Sequence, residues 1–224
     1  FNFDYNGKKF KIFNSYFRNK NLSFKNETII ILNPFLDFES KFDLEELDIQ
    51  ILKKLDLNKL LKSKDLIRKI NSKNEINFLS KKFSRDFIDE LNLKIDLAYG
   101  RLNYSKKFLI SENKFSCKGS VNLLDEFPLL FFNCIIFSKN KKKLFKQFSV
   151  RIKDQEIFML NVKGNLNLLN NKINFEEILL KDNYEASKED LIYFKKNFED
   201  IILDKGFNEM FSLKKIKKFI LEIS

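Results

Sequence analysis

The chain has 224 residues, of which 44% are hydrophobic, enough for a domain with a core and too many for a disordered polypeptide. It contains no histidine and only two cysteines, which excludes imidazole catalysis, a serine–histidine triad and a cysteine-rich zinc site. The formal net charge of +11 would suit an anionic lipid surface better than nucleic acid, because few of the basic residues are the arginines that base recognition favours.

Two hairpins are predicted in the first part of the chain. Alternating aromatic residues flank Asn6-Gly7 in FNFDYNGKKFKIF, a strong hairpin signal that predicts a type I′ turn with positive φ at both central residues. The stretches LSFKNETIIIL and FLDFESKFDLEEL also alternate, and Pro34 separates them where a strand would end. They predict a second hairpin.

The apolar spacing changes to a helical period between Leu47 and Ile70, with lysine and aspartate on the opposite face. This pattern predicts one inserted helix, or two short helices broken near Ser63. The following segment, from Asn71 to Ser84, has no pattern clear enough to assign.

Strand alternation returns at Leu91 and continues almost to the end of the chain. It marks the stretches LNLKIDLAYGRLNY, KFLISENKFSCKGSVNLL, FPLLFFNCIIF, KQFSVRI, EIFMLNVKGNLNLL and KINFEEILL. Short polar turns connect these stretches, which predicts an antiparallel meander without a parallel βαβ unit. The lysine-rich segment before KQFSVRI is interpreted as a turn between two strands.

One phrase occurs twice, as FSCKGSVNLLD from Phe115 and as LNVKGNLNLLN from Leu160. Its central glycines, Gly119 and Gly164, each interrupt an alternating apolar pattern. A glycine inside a strand marks a bulge, a bend or a close approach of backbone. We therefore predict that the two glycines occupy equivalent places in two similar strands.

The two cysteines, Cys117 and Cys134, both lie among alternating apolar residues. We interpret them first as small buried hydrophobic side chains. The alternative is a disulfide between neighbouring strands, which would require an oxidising compartment.

The last part of the chain is predicted to be helical. Ser187 can cap a helix with Asp190 as its partner three residues later, Gly206 breaks that helix, and an amphipathic segment follows from Phe211 to Ile223. The predicted organisation is a β-groove domain over residues 1–185, with the helical insertion at 47–70, and a helical segment over 186–224. The fold class is mainly β, or β-rich α+β, with a meander curved into an open, taco-like groove.

The sequence contains no motif that predicts catalysis. Its glycines are isolated and form no phosphate-binding loop, and no serine lies in a nucleophile elbow. The adjacent pairs Glu45-Glu46 and Glu176-Glu177 would point to opposite faces of a strand, which does not suit acid–base work. We expect a non-enzymatic protein without a cofactor or a metal.

Several phrases resemble the C-terminal region of AsmA-like bacterial envelope proteins from AT-rich marine bacteria. They are LAYGRLNY, FSCKGSVNLLDEFPLLFF, LNVKGNLNLLNNKINF and ASKEDLIYFKKNFEDI, and the resemblance is best from Leu91 to Ser224. It implies a periplasmic β-groove that holds or conducts phospholipid and supports outer-membrane homeostasis. It also implies an inner-membrane anchor, expected upstream of Phe1, and it assigns no catalytic residue.

The main functional hypothesis is therefore a lipid-binding groove, because a long apolar sheet face with few helices to cover it must be buried by something else. The residues predicted to line it are Leu93, Ile95, Leu97, Phe115, Cys117, Val121, Leu123, Val162, Leu166 and Leu168. The residues predicted to contact lipid head groups or a partner are Lys139, Lys141, Lys142 and Lys143. The alternative is a closed sandwich whose lysines bind an acidic protein partner, and nucleic-acid binding is the weakest of the three hypotheses.

Overall fold

A 12-stranded sheet, in which the strands follow one another in sequence order, forms the frame of the protein. The structure is a computed structural model that describes residues 2–20, 22–48, 57–81, 87–153, 155–181 and 184–223. The strands are β1 (Asn2–Tyr5), β2 (Lys9–Arg18), β3 (Leu22–Ile31), β4 (Leu36–Leu47), β5 (Ile70–Leu79), β6 (Glu90–Ala98), β7 (Arg101–Ile110), β8 (Asn113–Asn122), β9 (Leu129–Ser138), β10 (Phe158–Asn167), β11 (Lys172–Leu180) and β12 (Tyr184–Glu185). The helices are α1 (Leu57–Lys62), α2 (Lys64–Ile67), α3 (Lys141–Gln147), α4 (Lys188–Ile201) and α5 (Leu213–Glu222), with a 3₁₀ helix at Phe207–Phe211.

The sheet is open, since β1 and β12 lie at its two edges and do not pair with each other. Every neighbouring pair of strands is antiparallel except β4 and β5, which run parallel. The predicted mainly β fold with an open antiparallel sheet is thus confirmed. The described residues form one sheet, so the closed sandwich of the alternative hypothesis is not observed.

Both N-terminal hairpins are present, although the first turn differs from the prediction. β1 pairs with β2, and β3 pairs with β4 across the turn that contains Pro34. In the first turn Gly7 has a φ of +82°, but Asn6 is not in the left-handed region. The type I′ assignment was therefore wrong. The side chain of Asn6 instead accepts hydrogen bonds from the backbone N–H groups of Lys8 and Lys9, at 3.3 and 2.9 Å.

The helical insertion is the connection between the parallel strands β4 and β5. Its described part contains two short helices separated at Ser63, as the second form of the prediction has it. Leu47 ends β4 and Ile70 begins β5, while residues 49–56 lie outside the described part of the chain. A parallel pair needs a crossover longer than a tight turn, which accounts for an inserted segment of this length between β4 and β5.

The lysine-rich segment and the predicted strand KQFSVRI were also interpreted wrongly. Lys141–Gln147 is the helix α3, and the residues after it form a turn and irregular backbone. The side chain of Asn140 accepts a hydrogen bond from the N–H of Lys143 at 3.0 Å, which is a standard N-cap contact. Leu144 is buried on the inner side of this helix, so the neighbouring lysines occupy its solvent side.

The C-terminal helices follow the prediction. The hydroxyl of Ser187 accepts a hydrogen bond from the N–H of Asp190, whose carboxylate accepts one from the N–H of Ser187, so α4 begins with a capping box. Gly206, with a φ of +105°, separates α4 from the 3₁₀ helix and α5. Rings of α4, α5 and the sheet pack edge to face, with Phe198 at 5.7 Å from Phe175 and at 5.4 Å from Phe219.

The two copies of the repeated phrase occupy equivalent places. In both copies the added Cβ of an alanine would collide with a backbone carbonyl of the following strand, that of Phe131 for Gly119 and that of Asn174 for Gly164. Neither glycine has a positive φ, so both are required for close backbone approach. After each strand the asparagine of the phrase closes the turn in the same way, because Asn122 accepts from the N–H of Leu124 and Asn167 from the N–H of Leu169.

Candidate functional site

One face of the sheet is largely apolar on β6 to β11, whereas on β3 to β5 it also carries the polar side chains of Asn26, Thr28, Ser40, Ser72 and Asn74. Strand register assigns side chains to this face, because directly paired residues point to the same side and every second residue follows them. The paired residues of one row, running through the middle of six strands, are Leu93, Lys106, Cys117, Cys134, Val162 and Ile178. The same register continues through β5 to β1 and ends at Phe3 and Tyr5. We name this side of the sheet the apolar face.

The opposite side, here named the polar face, is charged and hydrogen-bonded. Salt bridges join Lys25 to Glu45 at 3.0 Å and Arg18 to Glu46 at 3.2 Å, so both carboxylates lie on this face and the expectation that they would point to opposite faces was wrong. A register shift at Glu45 changes the alternation at this point. Exposed apolar side chains also occur on this face, and they are Tyr16, Ile31, Leu79, Phe131 and Met159. The two faces differ strongly in polarity on β6 to β8 and on β10.

Helices cover the apolar face at one end of strands β6 to β11. Helices α1, α2, α4 and α5 lie there over a buried cluster that contains residues from both the helices and the sheet. The buried members are Leu61, Ile67, Val121, Leu123, Leu166, Leu168, Ile173, Ile201, Ile202 and Leu203. This cluster is the main core of the described residues, and we name this part of the face the helical end.

Helix α3 covers the other end of the same strands. The ring of Phe145 packs edge to face against Phe158 at the start of β10, with 5.8 Å between ring centroids. Leu144, Val150 and Ile110 are buried beside it. We name this part the α3 end. The apolar face thus has a helical wall at each end of its strands.

Between the two ends the apolar face is only partly buried. Leu93, Ile95, Phe115 and Val162 all keep part of their side chains exposed, whereas Leu166 at the helical end is 2% exposed. The whole protein has an accessible surface of 14825 Å². A folded protein of its mass, 26.9 kDa, would have about 10,800 Å². An excess of this size is expected when a sheet lacks a covering layer over much of one face. We name this middle part the open stretch.

The structure places the predicted lining residues on one side of the sheet but in two different environments. Leu93, Ile95, Phe115 and Val162 belong to the open stretch, and Cys117 lies among them although it is itself buried. The remaining residues pack in or against the core at the helical end, and they are Leu97, Val121, Leu123, Leu166 and Leu168. These five close the end of the apolar face and do not line its open part.

The four predicted head-group lysines lie at the α3 end. Lys139 precedes α3, and the other three form its first turn. Lys142 is exposed, and Lys143 is 3.9 Å from the carboxylate of Glu112. These residues form a basic rim at this end of the face.

The cysteines are disulfide-bonded, so the first interpretation of them as free buried thiols was wrong. Cys117 and Cys134 are directly paired residues of β8 and β9, with 4.0 Å between their Cα atoms. Their separation of 17 residues is that of a hairpin with ordinary strand lengths. The bridge lies on the apolar face, at the middle of the open stretch.

Beside this disulfide lies a lysine that sequence reasoning did not select. Lys106 is directly paired with Cys117 on one side and Leu93 on the other, so its side chain is on the apolar face. Burial lowers the pKa of its ammonium group, and no charged neighbour contributes to that shift. The sequence contains a signal for this residue. Leu102, Tyr104 and Phe108 occupy alternate positions of one strand, and Lys106 is the charged residue in the same series.

Tyr104 is the neighbour of Lys106 on the same face of β7. Its hydroxyl lies 3.7 Å from the sulfur of Cys117. Burial raises the pKa of Tyr104 to about 12, so the phenol is neutral and able to donate a hydrogen bond at physiological pH. The open stretch therefore contains one ammonium group and one phenol in an otherwise apolar setting.

The described residues provide no group of three or more side chains that could hold a metal ion. None of the helices in the described ranges is both long and apolar enough to cross a bilayer. No known protein family, curated protein or solved structure matches this chain.

Proposed function

We propose that the protein binds acyl lipid on the open stretch of its apolar face and acts without catalysis, as the lipid-holding or lipid-conducting groove of an AsmA-like envelope protein. The observation that carries this proposal is the apolar face itself. It extends over the six strands β6 to β11, or about 24 Å at the usual strand spacing, and the helices of the described residues cover it only at its two ends. Exposed apolar surface of such extent marks an interaction or ligand-binding site.

The dimensions favour acyl chains as the occupant. Half of a bilayer's hydrocarbon core is about 15 Å thick, so extended chains fit within the width of the face. Each methylene group transferred from water to this surface contributes about 0.8 kcal/mol. The basic rim, formed by Lys139, Lys141, Lys142 and Lys143, would offer its charges to phosphate head groups at the edge of the site.

We further propose a periplasmic location, with an inner-membrane anchor in the full-length protein and phospholipid as the partner. The disulfide between Cys117 and Cys134 supports an oxidising compartment, because such bonds are rare in the reducing cytosol. The resemblance of LAYGRLNY and the repeated phrases to AsmA-like proteins supports the same location. Outer-membrane homeostasis would be the process that this lipid binding serves.

Lipid extraction combined with native mass spectrometry tests the proposal. The protein should be purified without detergent from cells that make phospholipid, and bound lipid should be quantified in the parent and two variants. Ile95→Glu adds a carboxylate to the open stretch. Ser105→Glu is the matched control, since Ser105 lies on the polar face directly opposite Lys94 and Lys118.

We expect phospholipid in the parent protein and in Ser105→Glu, and a reduced load in Ile95→Glu with the fold retained. A parent protein that is free of lipid, monodisperse and unable to take up lipid from vesicles would overturn the proposal. In that case an acidic protein partner for the basic rim would become the leading hypothesis.

A further inference from the structure

We propose that Lys106 is the recognition residue for the oxyanion of a bound acyl lipid, so that the open stretch selects chains that carry a carboxylate or a phosphate over neutral ones. The inference rests on the proposed lipid-binding function and adds the substrate class. It assigns the anion to the middle of the apolar face, away from the basic rim at the α3 end.

The first argument is the isolation of the charge. By strand register, Lys106 is the one charged side chain on the apolar face among the strand residues that the structure describes. Its direct neighbours across the sheet are Leu93 and Cys117, and neither provides a charge. The carboxylates of the strands lie on the polar face by the same register, and Glu75, for example, is 3.8 Å from Lys94 there.

The second argument is the contact that the ammonium group does make. The Nζ atom of Lys106 lies 5.9 Å from the centroid of the Phe108 ring, a cation–π distance. Phe108 in turn stacks on Phe115, with 4.7 Å between ring centroids. Two stacked rings thus hold the lysine over the apolar face, and they leave its three N–H donors free for an acceptor that the sheet does not supply.

The third argument is the second donor beside it. Tyr104 is two residues from Lys106 on the same strand face, so their Cα atoms are about 7 Å apart. Its hydroxyl lies 3.7 Å from the disulfide sulfur of Cys117, which is a weak acceptor. A carboxylate or phosphate has several acceptor oxygens and could take hydrogen bonds from both side chains.

An unpaired ammonium group in apolar surroundings destabilises the folded protein, and burial accordingly lowers the pKa of Lys106. An anionic ligand would remove this penalty, since hydrogen bonds between oppositely charged groups are stronger than those between neutral groups. A neutral lipid would leave the penalty in place. The resulting difference in affinity between anionic and neutral lipids is the selectivity that we propose.

The test compares two ligands that share a chain and differ in charge, namely oleate and oleyl alcohol. Affinity for each should be measured for the parent protein, Lys106→Met and Lys107→Met. Lys107 is the matched control because it is the next residue of β7 and is exposed on the polar face. Lys106→Arg restores the charge. Phosphatidic acid and inorganic phosphate are further ligands, which separate a lipid-borne phosphate from the free ion.

We expect Lys106→Met to weaken oleate binding by about tenfold or more and to leave oleyl alcohol binding unchanged. Lys107→Met should bind both ligands as the parent does, and Lys106→Arg should recover most of the oleate affinity. If Lys106→Met loses affinity for phosphatidic acid as well as for oleate, the site also recognises lipids that carry a phosphate. Tight binding of inorganic phosphate alone would overturn the requirement for an acyl chain.

The two proposals fail in different ways. If the parent binds oleate and oleyl alcohol equally and Lys106→Met changes neither, the role of Lys106 is wrong and the lipid-binding function stands. If the parent binds neither ligand, both proposals are overturned.

Discussion

Gly119 lies directly opposite Tyr104 in the ladder between β7 and β8, and the tyrosine side chain occupies the space that a glycine Cβ would need. An added Cβ would come within 2.8 Å of the ring and 2.9 Å of the hydroxyl oxygen. Gly164 stands in the same relation to Phe132, whose ring would be 2.9 Å from the added atom. The repeated phrase thus encodes a place where an aromatic ring from the preceding strand crosses a glycine on the apolar face.

Alanine at either glycine should destabilise the protein. Gly119→Ala and Gly164→Ala force the new methyl group against a backbone carbonyl of the next strand and against the aromatic ring, and overpacking of this kind costs about 1–3 kcal/mol. Urea unfolding measures the loss. Ser120→Ala, on the opposite face of β8, is the control and should change stability by about 0.5 kcal/mol or less. Parent-like stability in both glycine variants would mean that the two strands do not approach as closely as described.

A carboxylate at the helical end should unfold the protein. Val121 and Leu166 are 4% and 2% exposed beneath the helices, so Val121→Glu and Leu166→Glu bury an unpaired charge that costs about 3–5 kcal/mol. Ile95→Glu, in the open stretch, should melt much closer to the parent because its carboxylate can still reach water. Thermal melts followed by circular dichroism distinguish the two sites. Equal losses at all three positions would show that the open stretch is as well covered as the helical end.

Reduction of the disulfide should lower stability without abolishing the sheet. Closing a loop of this length, with Cys117 and Cys134 separated by 17 residues, removes unfolded-state entropy equivalent to about 3 kcal/mol. Urea unfolding with and without a reductant should show this difference, and the double variant Cys117→Ala, Cys134→Ala should match the reduced protein. Intact mass before and after alkylation gives a separate check. Two alkylated thiols in the unreduced native protein would contradict the bond.

Tyr104 should make the protein lose stability at alkaline pH. The unfolded tyrosine ionises near pH 10, whereas burial raises the folded pKa to about 12, so the folded state binds more protons between these values. The contribution of Tyr104 is therefore complete below pH 10 and is lost as the pH rises to about 12. In Tyr104→Phe the free energy of unfolding should fall less between pH 9 and pH 11 than in the parent. An identical fall in the free energy of unfolding of both proteins would show that Tyr104 does not cause the loss of stability at alkaline pH.

The local sequence pattern was sufficient to predict those features whose structure depends on a single segment of the chain. The hairpin at Asn6-Gly7, the capping box of Ser187 and Asp190, and the equivalence of Gly119 and Gly164 could all be predicted, because each depends on neighbouring residues or on an exact repetition of the sequence. Alternation also assigned the predicted lining residues to one face of the sheet, since a strand has a period of two. The prediction for the lysine-rich segment was wrong because a short helix and a charged turn have the same composition. The N-cap contact of Asn140 is the feature that distinguishes the helix from the turn.

Tertiary structure decided the rest. Whether an inward side chain is core or open surface depends on what packs above it, and that is why Leu166 is buried under helices while Val162, four residues earlier on the same face, is partly exposed. Register decided that Cys117 meets Cys134, because a shift of one residue would have turned one of them to the other face. The sequence by itself determined that a long apolar face exists, and it contains the alternation that Lys106 interrupts, although Lys106 was not selected from it. Only the pairing of β6, β7 and β8 shows that no carboxylate of these three strands lies beside this lysine, since the neighbours of a strand residue come from segments distant in the chain.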